Sequence, residues 1–377
     1  MGSPARRALR LPMLLRPVSR LLAVLLVGVV MCPSTACAAS DSVTDRNATR
    51  VASTPTGLTL DRRPWWPTGF DAYQLATDWS VNVGCGAQVD LDRYFGALPP
   101  RSLTRFDLFA ALAVDKASGL PDYRAVDAVF ATAARHHQLV LPVLTGGEGP
   151  CEDEQFKDRN WYRSGWRTVR AGPYGTFAQW VDIAVRRWRS EPSLAGWEPV
   201  GEPEPGDCAP SDCTWPERTC APDAAQVLRT FFDDVGGRIH RAAPGSLVFS
   251  GTAGGDQCGT AGGGYLLLAR SPGVDVLDFH DYPGESQRPA GSDTLTERLA
   301  QARQVGKPLL VGELGIKAGS CLSTAARAGA FAERLHAYRR SGAAGALLWA
   351  FVPDPRTADC TYDIGPQDPA WRSLTGR

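Results

Sequence analysis

The sequence predicts an α/β fold, a single (β/α)8 TIM barrel with disulfide-stapled βα loops. Three observations carry that expectation. Short apolar runs alternate with longer segments of helical period over one continuous stretch, eight times. The runs are apolar on both faces, as parallel strands covered by helices are. No Gly-rich dinucleotide fingerprint follows an early run, which argues against a doubly wound open sheet. The Gly-rich stretch 251–264 matches neither the Rossmann nor the P-loop spacing.

Taken in order, the 377-residue chain opens on a basic stretch with Arg6, Arg7, Arg10, Arg16 and Arg20. An unbroken apolar run follows from Leu21 to Met31, then small residues at Ala36-Cys37-Ala38. Residues 1–38 therefore read as an export signal cleaved before Ala39. The apolar run is shorter than the ~20 residues a membrane span needs. Lipid attachment at Cys32 or Cys37 is the alternative, and it would make the protein cell-envelope bound rather than freely secreted. Residues 39–59 are polar and Ser/Thr-rich, which suggests a disordered linker. The barrel is then expected over 60–377.

The strand candidates are 69–75, 102–109, 139–144, 194–200, 247–252, 274–280, 308–312 and 345–351. Helices are expected at 123–137, 176–188, 224–242, 295–304 and 325–340, each with apolar residues at helical spacing. Thr294-Leu295-Thr296-Glu297 is a capping-box pattern opening the fourth of these. The even set Cys85, Cys151, Cys208, Cys213, Cys220, Cys258, Cys321 and Cys360 follows the signal and falls in what would be βα loops. In an exported chain that points to disulfides rather than a metal site. Cys85 with Cys151 and Cys321 with Cys360 is one plausible set, leaving four around strands four and five.

Formal net charge is zero, so nothing electrostatic favours nucleic acid or an anionic membrane as partner. Only four of the 40 Lys and Arg are Lys, a bias that fits a GC-rich, actinobacterial type of genome. Two carboxylates stand out. Glu202 closes the fourth strand in Trp197-Glu198-Pro199-Val200-Gly201-Glu202-Pro203, and Glu313 lies in the apolar seventh strand in Val311-Gly312-Glu313-Leu314. A carboxylate in a buried strand needs a reason, because an unpaired buried charge is costly. Facing each other across a barrel mouth, two such groups suit glycosidic cleavage. One is held protonated to donate and the other ionised to attack.

Several further residues occur in matching order: Asp71 in Thr68-Gly69-Phe70-Asp71-Ala72-Tyr73, Arg105 in Thr104-Arg105-Phe106, His280 and Tyr282 in Phe279-His280-Asp281-Tyr282, and Trp349 in Leu347-Leu348-Trp349. With Glu202 in Glu-Pro and Glu313 in Gly-Glu, the chain resembles the (β/α)8 glycoside hydrolases with catalytic glutamates on strands four and seven. It is most similar to glycoside hydrolase family 5, which includes cellulases and β-mannanases. The resemblance implies Glu202 as acid/base, Glu313 as nucleophile, Arg105 lowering the pKa of Glu313, and Tyr282 orienting it. It further implies Trp349 as a sugar platform and His280 as a hydroxyl ligand or a support for Glu202. Trp65, Trp66, Trp161, Trp166 and Trp215 either line a sugar groove or pack under loops.

There are departures. Gly201 stands where the family usually has the Asn that binds the substrate 2-hydroxyl, and Asp71 where an Asn is common. The third-strand loop 145–148 lacks the expected His. The resemblance implies a secreted, monomeric, retaining, endo-acting enzyme on a β-linked oligo- or polysaccharide, with no cofactor or metal. Two rivals stay open at this point: a catalytically weak or inactive carbohydrate-binding barrel, and a disulfide-rich surface adhesin.

Overall fold

The computed structural model describes residues 50–208, 213, 218–255, 257–283 and 293–374. The export-signal reading of 1–38 and the position of Trp215 lie outside them. Among the described residues no helix is long and apolar enough to cross a membrane.

The barrel closes. Strand one (Thr68–Phe70) pairs in parallel with strand eight (Ala346–Trp349), Ala346 opposite Thr68 and Leu348 opposite Phe70. Strand eight pairs with strand seven (Leu309–Gly315), and seven with six (Leu277–Asp281). Strand two (Leu103–Asp107) runs beside strand three (Leu139–Val143) in unbroken register. The remaining joins are parallel bridges. Asp71 to Arg105 links strands one and two, and Val140 to Leu194 and Val143 to Glu198 link three and four. Trp197 to Val248 links four and five, and Phe249 to Val276 links five and six. Strands four and five are thus staves held by isolated bridges rather than full ladders. The reason is local: Pro199 has no N–H to give, and Gly251 takes a left-handed φ of 60°.

Strand one is shorter than expected, because Tyr73–Ala76 turns into a 3-10 helix. Strand seven is longer and carries Glu313 inside it rather than beyond it. The outer helices lie where their periodicity puts them, including Arg124–Arg135, Phe177–Trp188 and Ala224–Ala242. Thr294 accepts from the Glu297 N–H, and a complete capping box forms at Thr176 and Gln179. The helices Leu91–Ala97, capped by Asp90, and Gly263–Ala269 were not anticipated.

One expectation is overturned. Residues 51–59, read as part of a disordered linker, form a hairpin of Val51–Thr54 against Gly57–Leu60, extended by Arg63–Trp65. Val51, Leu58 and Leu60 are buried in one cluster with Leu103, Leu139, Leu141, Leu247, Leu310 and Leu347, the apolar floor of the barrel. The hairpin therefore plugs the N-terminal end. Burying those side chains offsets the ordering cost that a polar linker could not meet.

At the opposite end the βα loops are tied by four disulfides, Cys85–Cys151, Cys208–Cys213, Cys220–Cys258 and Cys321–Cys360. The first and last match the expected set. The first joins the loops after strands one and three, and the last joins those after seven and eight.

Candidate active site

The site is built around one buried cation. Arg105 projects from the middle of strand two, where successive residues point alternately inward and outward. Its Nε and Nη2 donate to the two Glu198 oxygens at 2.7 and 2.6 Å, a bidentate pair. Its Nη1 donates to Asp71 Oδ1 at 2.9 Å and to Glu313 Oε1 at 2.8 Å. All four side chains are buried. Asp71 Oδ2 is also buried and has no hydrogen-bond partner among the described residues.

Glu313 is held from a second side by the Tyr282 hydroxyl, which donates to Oε2. His280 Nδ1 lies 2.6 Å from Glu202 Oε1 and 3.4 Å from Glu313 Oε2. One oxygen of Glu202 and one of Glu313 come within 4.8 Å of each other, with His280 between. Glu202 has a φ of 51°, rare for a residue with a side chain and commonest where function fixes the backbone. Its N–H is tied to Gly251 O at 2.9 Å.

Burial opposes the charged imidazolium, yet Glu313 and Glu202 hold His280 up to about 9. Burial also raises Glu313, while His280 and Arg105 pull it back. The expected lowering of Glu313 is therefore not reached: desolvation outweighs Arg105, which acts to limit the rise. Burial pushes Asp71 well above the carboxylate range against the pull of Arg105. Asp278 is pushed up to about 7 by burial and by Glu198. Glu202, His280 and Glu313 supply three atoms close enough for a cation. A protonated His280 has no lone pair to give at Nδ1, so the set suits proton handling better than metal binding.

Trp349 closes strand eight, half-buried, and stacks on Tyr73 with ring centroids 5.8 Å apart and planes 21° from parallel. Every strand-borne residue singled out from the sequence, Asp71, Arg105, Gly201, Glu202, His280, Tyr282, Glu313 and Trp349, thus lies at the mouth. The other tryptophans do not. Trp65 and Trp66 bond to Arg101 O and Ala343 O around the barrel's N-terminal end. Trp161 and Trp166 pack on Phe231 between helices.

Glu198 was overlooked as a partner, although it is a carboxylate in an apolar stave, the same signal that marks Glu313. It also accounts for Gly201. A Cβ there would lie 3.1 Å from Arg105 Nη2, 3.3 Å from Val143 Cγ1 and 3.8 Å from Glu198 Oε1. The Arg105–Glu198 fork occupies the approach to the space that a larger side chain would need.

No protein-family model matches the chain, and no curated protein matches it by sequence. Solved structures do match the fold. The endo-1,4-β-mannanase from Rhizomucor miehei superposes with a TM-score of 0.61 at 16% identity, covering 86% of this chain and 96% of that one. The endo-1,4-β-mannanase from Eisenia fetida gives 0.56 at 17%, covering 87% and 95%. The glycoside hydrolase family 5 mannosidase from Rhizomucor miehei gives 0.54 at 13%, covering 87% and 96%. The chain has the barrel fold of family 5 glycoside hydrolases.

Proposed function

We propose that this chain is a retaining glycoside hydrolase that cuts a β-linked polysaccharide, with Glu313 as nucleophile and Glu202 as general acid/base. The observation that carries the reading is the approach of their carboxyl oxygens to within 4.8 Å. Retaining enzymes hold their carboxyl groups ~5–5.5 Å apart, and inverting ones leave ~6.5–9.5 Å for a water.

Glu313 attacks the anomeric carbon while Arg105 and Tyr282 hold its two oxygens and spread its charge. Glu202 gives its proton to the departing glycosidic oxygen. The proton is held beforehand between Glu202 Oε1 and His280 Nδ1. The resulting glycosyl ester is opened by a water from which Glu202 takes a proton, so two inversions leave the anomeric configuration unchanged. The Tyr73–Trp349 stack supplies an apolar face for a sugar ring. Four disulfides at the mouth fit a secreted enzyme that works in an oxidising compartment. The mannanase neighbours make β-mannan the first substrate to try, and an open cleft with loop staples favours endo-action.

The test is hydrolysis of β-mannan, β-glucan, xylan, arabinan and galactan by the mature protein, Glu202→Gln and Glu313→Gln, with the product anomer followed by NMR. One polymer cut with retention, and lost in both variants, is the expected result. An inverted product overturns the mechanism. Binding without cutting points instead to a sugar-binding barrel.

A further inference from the structure

Asp107 is the last residue of strand two, two places beyond Arg105 and therefore on the same side of the strand, nearer the mouth. Its carboxyl is only partly buried, and among the described residues no hydrogen bond or ion pair reaches it. One of its oxygens and both sulfurs of Cys85–Cys151 lie within 4.8 Å of one another, so it sits against the staple of the first and third loops. The charges that face it are Arg105, Glu198, Glu152 and Glu313, which is the catalytic cradle seen from above. Tyr73, stacked on Trp349, feels its charge as well. A polar group withdrawn from water without a partner costs stability, and the mechanism above makes no use of it.

We propose that Asp107 is a substrate-binding residue whose carboxyl hydrogen-bonds a hydroxyl of the sugar lying over the Tyr73–Trp349 stack. The inference rests on the glycosidase reading. Glu202 hands its proton to the leaving half of the glycan, on the side of strands four and six. Asp107, Tyr73 and Trp349 come from strands two, one and eight, so they serve the retained half. Burial pushes Asp107 up to about 8 against the pull of Arg105, with Glu198, Glu152 and Glu313 adding to the rise. At neutral pH it is therefore a protonated acid, able both to donate to a sugar hydroxyl and to accept from one. A sugar closing over it removes more water and favours the neutral form further, so binding weakens as pH rises through about 8.

The experiment is calorimetric binding of manno-, gluco- and xylo-oligosaccharides to the full chain carrying Glu313→Gln, alone and with Asp107→Ala or Asp107→Asn. Asp107→Ala should raise Kd about tenfold, and Asp107→Asn, which keeps a neutral donor and acceptor, only about twofold. The alkaline weakening should vanish in Asp107→Asn, and that variant should melt higher than its parent above pH 8. Unchanged affinity in Asp107→Ala overturns the assignment while leaving the glycosidase reading in place. A lower melting temperature in both variants with the pH dependence intact also overturns it, because that is a structural carboxyl. A parent that binds none of the oligosaccharides removes both readings together.

Discussion

Removing Glu198 tests whether the site is organised around Arg105. Two of the four hydrogen bonds from that guanidinium end on Glu198, at 2.7 and 2.6 Å, and the pair is almost wholly shielded from water. Glu198→Ala leaves Nε and Nη2 buried without acceptors. Breaking a buried pair from one side costs about 3–5 kcal/mol. Glu198→Gln keeps one acceptor and loses a single charge-assisted bond, about 1.5–3 kcal/mol. Activity should suffer more than stability in the Gln variant. A guanidinium freed of its fork is no longer fixed against Glu313, and about 1 Å of misplacement costs on the order of 100-fold in rate. The assay is guanidinium chloride unfolding at pH 7 with disulfides intact, beside kcat of the folded fraction. If Glu198→Ala unfolds within about 1 kcal/mol of the parent, or keeps most of its kcat, Glu198 does not anchor Arg105 and the reasoning fails.

Gly201→Asn should not repair the departure from the family pattern. Its Cβ would press on Arg105 Nη2 at 3.1 Å and Val143 Cγ1 at 3.3 Å, so it should cost about 1–3 kcal/mol and lower kcat, read by melting and initial rates. His280 is held up to about 9 in the fold, above the ordinary histidine value of 6.5. Its contribution to stability is complete below pH 6.5 and is lost as pH rises through about 9. The melting difference between parent and His280→Gln should therefore shrink from pH 6 to pH 10. Leu58→Ala in the hairpin should destabilise by about 2–5 kcal/mol, visible in chemical unfolding, whereas a dispensable linker residue would change nothing.

The barrel was legible because each parallel strand is apolar on both faces and each covering helix on one, two periods that a sequence displays directly. What failed was read locally where the cause was not local. The hairpin was hidden by its Thr, Ser and Pro content, yet Leu58-Thr59-Leu60 alternates as a half-buried strand does, and the barrel floor that buries it lies far along the chain. Glu313 was visible because glycine and leucine flank it. Glu198 was masked by the acidic, proline-rich run around it, and only closure of the barrel sets it beside Arg105. Asp107 carries no local signal at all, since an Asp ending a strand is ordinary until the disulfide and the cradle stand over it.

The same crowding explains the charge states of the cradle. Arg105 and His280 face Asp71, Glu198, Glu202 and Glu313, two cations against four carboxyl groups, before Asp107 and Asp278 are added. The buried cluster cannot ionise them all, because each further anion meets both desolvation and its neighbours. The carboxyls that touch neither cation take the strain: Asp107 and Asp278 are pushed up to about 8 and about 7. Glu313 has Arg105, Tyr282 and His280 against it and rises less than burial alone would demand. Space for this ionic layer comes from missing side chains. A Cβ on Gly251 would meet Glu198 Oε1 at 2.4 Å, and one on Gly201 would press on the other half of the same ion pair. Gly201 therefore belongs to the machinery that holds Arg105 in place, and its lack of a side chain is not a sign that the chemistry has been lost.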